Sequence, residues 1–165
     1  MMKPLINKLF FCGCVLLLLV ACVRAEQKNS YQLQYVQDGD SAVLCCEQGK
    51  TFTVRLLDID APEKYQPYAE ESKDTLKKLL VHKDLVLLGA KQDRYGRRLV
   101  VIEVEGKSVN DIMIRSGAAW VWRFSRNKRL KALQQQAKDE KVGLWALPES
   151  ERQDPWHWRQ THSRK

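Results

Sequence analysis

The chain has 165 residues, with 28 Lys and Arg against 20 Asp and Glu and a formal net charge of +8. That length builds one domain around a hydrophobic core of its own and excludes a miniprotein held together by disulfides. The positive excess suits an anionic partner, nucleic acid or a membrane surface, without choosing between them.

Residues 1–25, "MMKPLINKLFFCGCVLLLLVACVRA", place Lys3 and Lys8 before an apolar run and contain no acid. This is the pattern of a secretory signal peptide, and the run is shorter than the roughly 18 to 20 residues of a membrane-spanning helix. Two exits stay open. Val23-Arg24-Ala25 offers small residues to a signal peptidase, while Leu19-Val20-Ala21-Cys22 has the form of a lipobox that would make Cys22 a lipid-anchored N-terminus. An exported protein, periplasmic or secreted, with possible tethering at Cys22, is expected. Loss of residues 1–25 leaves 25 basic against 20 acidic residues.

From Tyr31, "YQLQYVQ", "SAVLCCE" and "TFTVRLLDID" read as three strands joined at Asp38-Gly39-Asp40 and Gln48-Gly49-Lys50, a meander with hairpin chemistry at both turns. Adjacent Cys45 and Cys46 on a strand point to opposite faces, so a mutual disulfide is not expected; no histidine or further cysteine lies at metal-ligand spacing. Pro62 stops the third strand. "PYAEESKDTLKKLLVHKDL" then carries Ala69, Leu76, Leu79 and Leu80 at helical spacing among charges, and predicts an amphipathic helix.

Strands "LVLLGAK" and "RLVVIEVEG" flank the turn "QDRYGR"; Ser108 or Asn110 caps a short helix closed by Gly117, and a last helix covers "KRLKALQQQAKDEKVG", with Gly143 as its stop. Residues 148–165 read as a polar tail containing Trp156 and Trp158. The fold class is α+β: a five-stranded OB-type barrel with about three packed helices over residues 26–147, with a split antiparallel α+β sheet as the alternative.

Asp40, Arg55, Asp58, Asp60, Glu63, Asp93, Arg94, Arg97 and Arg98 interrupt the apolar runs. Hydrolysis of a phosphodiester needs a hard cation, a base for water, and fixed positive groups where charge grows in the transition state. Carboxylates and carbonyl oxygens meet the first need, a further carboxylate the second, and arginines the third. Taken singly, each residue has a plainer reading: Asp38-Gly39-Asp40 as a tight turn, Asp60 as a turn carboxylate, Arg97 as a solvated hairpin charge. Strict alternation also puts Arg55 on the face opposite Asp60, so joint action requires a bend near the strand end.

In order, "VQDGDSAVL", "VRLLDIDAPEK", "DRYGRRLVVIEVEGKSVNDIMIRSGAAWV" and "AKDEKVGLWA" resemble the successive signatures of the staphylococcal nuclease family, and "PWHWRQ" is similar to the Trp-x-Trp-Arg ending of its bacterial members. The resemblance implies an OB-fold nuclease that uses Ca²⁺ to cut DNA and RNA, leaving 3′-phosphate and 5′-hydroxyl ends. It implies Asp40 and Asp60 as carboxylate ligands of Ca²⁺, the backbone carbonyl of Ala61 as a further ligand, Glu63 as general base, and Arg55 and Arg97 as the phosphate clamp. Ala61 stands where the staphylococcal enzyme has threonine, and a carbonyl ligand tolerates that change.

Tyr95 and Arg94 are the candidate substrate contacts, with Lys91 and Arg98 as further backbone-holding groups. The segment after Glu63 is shorter than in the staphylococcal enzyme, and "WVWRFS" replaces its tyrosines, leaving Trp120 and Trp122 open to a core or a stacking role. No obligate protein partner is implied and a monomer is expected. The rival reading is a non-catalytic OB-fold module that binds nucleic acid or protein at the cell envelope.

Overall fold

The computed structural model describes residues 30–47 and 49–162. The segment read as an export signal and both processing readings, at Ala25 and at Cys22, lie outside the described residues. Among these residues no helix is long and apolar enough to cross a membrane.

Strands β1 (Gln32–Asp38), β2 (Ser41–Glu47) and β3 (Lys50–Leu56) form the antiparallel meander that the turn chemistry predicts. The run "TFTVRLLDID" is not one strand. It breaks at Leu57 and Asp58, where Asp58 takes a positive φ of 64°, and resumes as the two-residue β4 (Ile59–Asp60). A short polar aspartate tolerates left-handed backbone better than most residues, so the chain can turn there without glycine.

Helix α1 (Ala69–Leu80) follows, with Glu70 and Glu71 in its first turn and Lys77 and Lys78 in its last, each sign matched to the helix dipole. Leu76 and Leu80, four apart, bury completely into the core. Strand β5 (Leu85–Gln92) pairs with β6 (Arg98–Val104), and β6 runs parallel to β3, giving the order β1-β2-β3-β6-β5. Tyr31 and Leu85 exchange two backbone hydrogen bonds of 3.0 Å, so the edges of this curled sheet meet at one bridge rather than along a ladder. The parallel β3–β6 pair and this edge contact match the expected OB-type α+β fold, in a barrel that is incompletely closed, and not a purely antiparallel split sheet.

Inside it Leu44, Val54, Leu56, Val100, Ile102 and Met113 are almost inaccessible to solvent. Each such side chain contributes about 1.5–3 kcal/mol of burial.

Strand β7 (Lys107–Ser108) leads into α2 (Val109–Arg115), whose cap is Ser108, accepting from the Asp111 backbone N–H. Asn110 does a different job: buried, it donates from Nδ2 to the Leu57 carbonyl at 2.9 Å and accepts from Ile102 N–H at 3.2 Å. It thereby satisfies the backbone where β3 turns away from the sheet. Strand β8 (Trp120–Val121) pairs with β4, Asp60 opposite Trp120.

Helix α3 (Lys128–Asp139) ends before the predicted stop. Gly143 instead has φ 60° and passes so close to α2's exit that a Cβ would stand 2.3 Å from the Ser116 carbonyl oxygen. That approach seats Trp145 edge-on to Trp120, ring centroids 4.3 Å apart, so Trp120 belongs to a second small core. Short 3-10 turns (Gly143–Ala146, Glu149–Glu151) precede α4 (Pro155–Thr161), which folds within the segment read as a polar tail. Asp154 caps it and Pro155 occupies its first turn, both standard helix-start chemistry.

The expectation for Cys45 and Cys46 is corrected, because the structure joins them in a disulfide. The β2–β3 register shifts between Cys45 and Glu47, so Cys46 is an extra residue in the ladder and strict alternation fails at that point.

Candidate active site

The turn Asp38-Gly39-Asp40 is packed, not merely tight. A Cβ on Gly39 would fall 1.9 Å from Ser72 Oγ of α1 and 2.7 Å from the Ala61 Cβ. Only glycine lets this turn close onto both, and the closure carries Asp40 inward. Opposite it on β3, Arg55 bonds Asp40 Oδ1 through Nη1 and Asp60 Oδ1 through Nη2, the latter at 2.8 Å. One guanidinium fork thus holds two buried carboxylates, one from the β1–β2 turn and one from β4. The bend at Asp58 is what turns Asp60 back toward Arg55.

Asp40 is bonded on both oxygens: Oδ1 also accepts from Ser41 Oγ at 2.9 Å, and Oδ2 accepts from the Ala61 backbone N–H at 2.7 Å. Burial nevertheless raises its pKa to about 7, against the opposing pull of Arg55 and with the help of Asp38 and Asp60. Burial also works against the charge on Arg55, but Asp40 and Asp60 outweigh it and raise that pKa. The cluster therefore carries more negative charge than Arg55 alone neutralises.

Glu63 lies just past Pro62, beside a groove of about 240 Å³ that it lines with Lys64, Glu70 and Lys73. Its backbone N–H donates to Gln66 Oε1 at 2.9 Å. A residue the sequence reading did not place in the site meets it there. Arg159, on α4, donates from Nη1 to Glu63 Oε1 at 2.6 Å and from Nη2 to Asp60 Oδ2 at 2.8 Å. Burial opposes its charge, while bonds to Asp60 and Glu63 overcome that and raise its pKa. The only sequence signal for it is the "PWHWRQ" ending, which carries no role by itself.

Arg97 approaches from the β5–β6 hairpin. It pairs with Asp93 at 2.8 Å and reaches Ser41 Oγ at 3.4 Å, so it joins the cluster through the serine that bonds Asp40. Tyr95 is 69% exposed at the hairpin tip, its hydroxyl accepting from Arg94 at 2.7 Å and its N–H donating to Asp93 Oδ1 at 2.9 Å; among the described residues neither bonds Asp40, Asp60 or Glu63. Asp40, Arg55, Asp60 and Glu63 are thus brought together, Arg97 stands at one remove, and Tyr95 and Arg94 stand at the rim. A larger groove of about 310 Å³ between α2 and α3 lies away from all of them.

Residues 53–147 match the sequence model of a family described as "Staphylococcal nuclease homologue". The chain belongs to that family. It is 39% identical over 126 residues to a protein named "Uncharacterized endonuclease" of Escherichia coli O157:H7, covering 75% of this chain and 80% of that one. A Haemophilus influenzae protein of the same name is 30% identical over 154 residues, covering 93% and 85%. A "Micrococcal nuclease" of Shigella flexneri is 29% identical over 136 residues, covering 75% and 76%. The matched family region contains Arg55, Asp60, Glu63 and Arg97, and ends before Arg159.

Among the described residues no three His, Cys, Asp or Glu side chains converge into a ready cation cage. The donor chemistry still fits a hard cation: Asp40 and Asp60 are buried oxygen donors, and together with Glu63 they are three carboxylates sharing the two guanidiniums of Arg55 and Arg159, while calcium completes its shell with carbonyls and water. Ala61 follows Asp60 in the chain and donates its N–H to Asp40.

The raised Asp40 pKa has a definite sign. Between an unfolded value near 3.8 and a folded value of about 7, the native state holds the proton more tightly. Without a cation, stability therefore falls as pH rises through that window, by a few kcal/mol at most. Thermal melts in chelator from pH 4 to 8 are expected to show this decline in the parent protein, and a flatter profile in Asp40→Asn.

Proposed function

We propose that this member of the staphylococcal nuclease family is an exported, Ca²⁺-dependent nuclease that hydrolyses phosphodiester bonds of DNA and RNA with little sequence preference. The observation that carries the reading is the Arg55 fork binding Asp40 and Asp60 beside Glu63, with Arg97 one hydroxyl away. Family membership supports hydrolysis of nucleic acid; the buried aspartate pair supports the cation; the N-terminal segment supports export.

Each residue has a chemical task in this reading. Asp40, Asp60 and the Ala61 carbonyl would hold Ca²⁺, which would supply positive charge to the scissile phosphate. Glu63 Oε2, which makes no hydrogen bond among the described residues, accepts a proton from the attacking water. Among the described residues Arg55 makes its hydrogen bonds through Nη1 and Nη2 and none through Nε–H, and that group with Arg97 stabilises the charge that builds on the nonbridging oxygens. Tyr95 and Arg94 at the rim contact the substrate strand, and such contacts weaken with salt. Groups aimed at phosphate do not read bases, which accounts for the low sequence preference. The described chain contains the whole set, so a monomer suffices.

Digestion of plasmid DNA and of RNA with 5–10 mM Ca²⁺ (roughly the range that saturates weak extracellular sites), against excess chelator, tests this directly. Cleavage is expected only with Ca²⁺, on both substrates, leaving 3′-phosphate ends. Undiminished cleavage in chelator removes the cation from the mechanism; DNA binding without cleavage under any divalent cation makes the protein a binding module instead.

A further inference from the structure

Arg159 lies beyond the region that defines the family match, yet its guanidinium touches two of the candidate site's carboxylates. Residues 99 positions apart in the chain, Asp60 and Arg159, share a two-point ion pair: Nη2 on Oδ2 at 2.8 Å and Nη1 on Oδ1 at 3.2 Å. The same Nη1 holds Glu63 Oε1 at 2.6 Å. The Asp60 end of this contact is buried, its side chain 5% exposed, while the Glu63 end lies at the surface. Helix α4 and the segment leading into it are held in place by three further features, none made by a site carboxylate. Gln66 Nε2 donates to the Gln153 carbonyl, Arg123 stacks 3.8 Å over Trp156, and Pro155 is buried.

Glu63 needs such a partner. Its side chain is 40% exposed and sits at the rim of an open groove, where a glutamate with three rotatable bonds spreads over many rotamers. Arg159 ties one carboxylate oxygen, and the other, Oε2, makes no hydrogen bond among the described residues. Because the tie runs through a guanidinium also bonded to Asp60, it sets the position of Glu63 relative to Asp60. Planar, forked geometry does this for two acceptors at once, which a lysine ammonium does not.

We infer that Arg159 is a positioning residue of the active site, and that α4 is the element that brings it there, so the catalytic unit extends to the end of this helix. The inference rests on the proposed nuclease function, because it assigns Arg159 to holding the general base of that reaction. Near-attack placement of a base within a few tenths of an ångström is worth orders of magnitude in rate, and its loss affects turnover more than substrate binding.

The test compares the parent with Arg159→Ala and Arg159→Lys on plasmid DNA at saturating Ca²⁺. Arg159→Ala is expected to lower kcat by about 10- to 100-fold with KM changed less than about threefold. Lysine is expected to recover only a small part of that loss, whereas millimolar guanidinium added to Arg159→Ala recovers more than the same concentration of sodium or urea. Thermal melts give a readout that needs no activity: the melting-temperature effects of Arg159→Ala and Glu63→Ala, each of which deletes the contact, are expected to be non-additive.

Unchanged or faster turnover in Arg159→Ala overturns the inference and leaves the nuclease reading standing, the faster case making Arg159 a plug that the cation must displace. Loss of kcat that tracks a lowered melting temperature and resists guanidinium makes its role merely structural, which also overturns it. An inactive parent with every divalent cation removes the nuclease reading, and the assignment to a general base falls with it, while additive melting effects remove the Arg159–Glu63 tie whatever the activity.

Discussion

Glu63→Gln is expected to lower kcat for DNA cleavage by about 10²–10⁴, the usual contribution of a positioned general base. Glutamine keeps the shape, and its amide oxygen still accepts from Arg159, but it cannot take a proton from water. KM for DNA is expected to stay within about threefold, because the substitution removes a group that acts in the transition state rather than in binding. With a 40% exposed side chain at stake, stability is expected to move by less than about 1 kcal/mol. Initial-rate kinetics and calorimetry on the same preparation check both halves. Activity within tenfold of the parent would remove Glu63 from the base position.

The second large effect falls on stability as well as rate. Arg55 is the sole side chain bonded to both Asp40 and Asp60 among the described residues, and both aspartates are buried. Arg55→Ala leaves them facing each other with Arg159 as the remaining guanidinium partner of one of them. Breaking a buried pair by deleting one member costs about 3–5 kcal/mol, which lowers the melting temperature of a domain this size by roughly 6–20 °C. Cleavage is expected to drop at least about 10²-fold, since a phosphate-directed group is lost too.

Calcium should act in opposite proportion on the two proteins. In Arg55→Ala the added cation neutralises what the arginine neutralised, so it is expected to raise the melting temperature more than in the parent. A melting temperature within about 2 °C of the parent's, before any cation is added, would show that the fork contributes little. Arg55→Lys separates charge from shape: one ammonium cannot bridge both aspartates, so it is expected to keep part of the stability and little of the rate.

Much of the fold is legible locally. Asp-Gly and Gln-Gly punctuation between β-branched runs predicts the meander, and leucines at helical spacing predict α1, because these signals depend on near neighbours in the chain. The strand boundaries fail where long-range packing overrides them. Val54 to Asp60 reads as one strand by hydropathy, yet Asn110 from α2 takes up the Leu57 carbonyl and Trp122 N–H bonds the Asp58 carbonyl, so the ladder stops there. Cys45 and Cys46 fail for a related reason, since the register of β3 against β2, and not the alternation of β2 alone, decides which way Cys46 points.

By itself the sequence determined the inventory: which carboxylates and arginines are available, where the Asp-Gly and Gln-Gly turns fall, and that the motif order resembles one nuclease family. Only the tertiary structure decided their assembly. Arg55 and Asp60 stand on opposite faces of an ideal strand, and a single left-handed residue at Asp58 reverses that. Arg159 lies at the end of a segment with no apolar periodicity, and no local rule connects it to Glu63. Backbone propensities act over a few residues, whereas a site built from a turn, a strand end, a hairpin and a terminal helix exists only when the core that packs them together has formed.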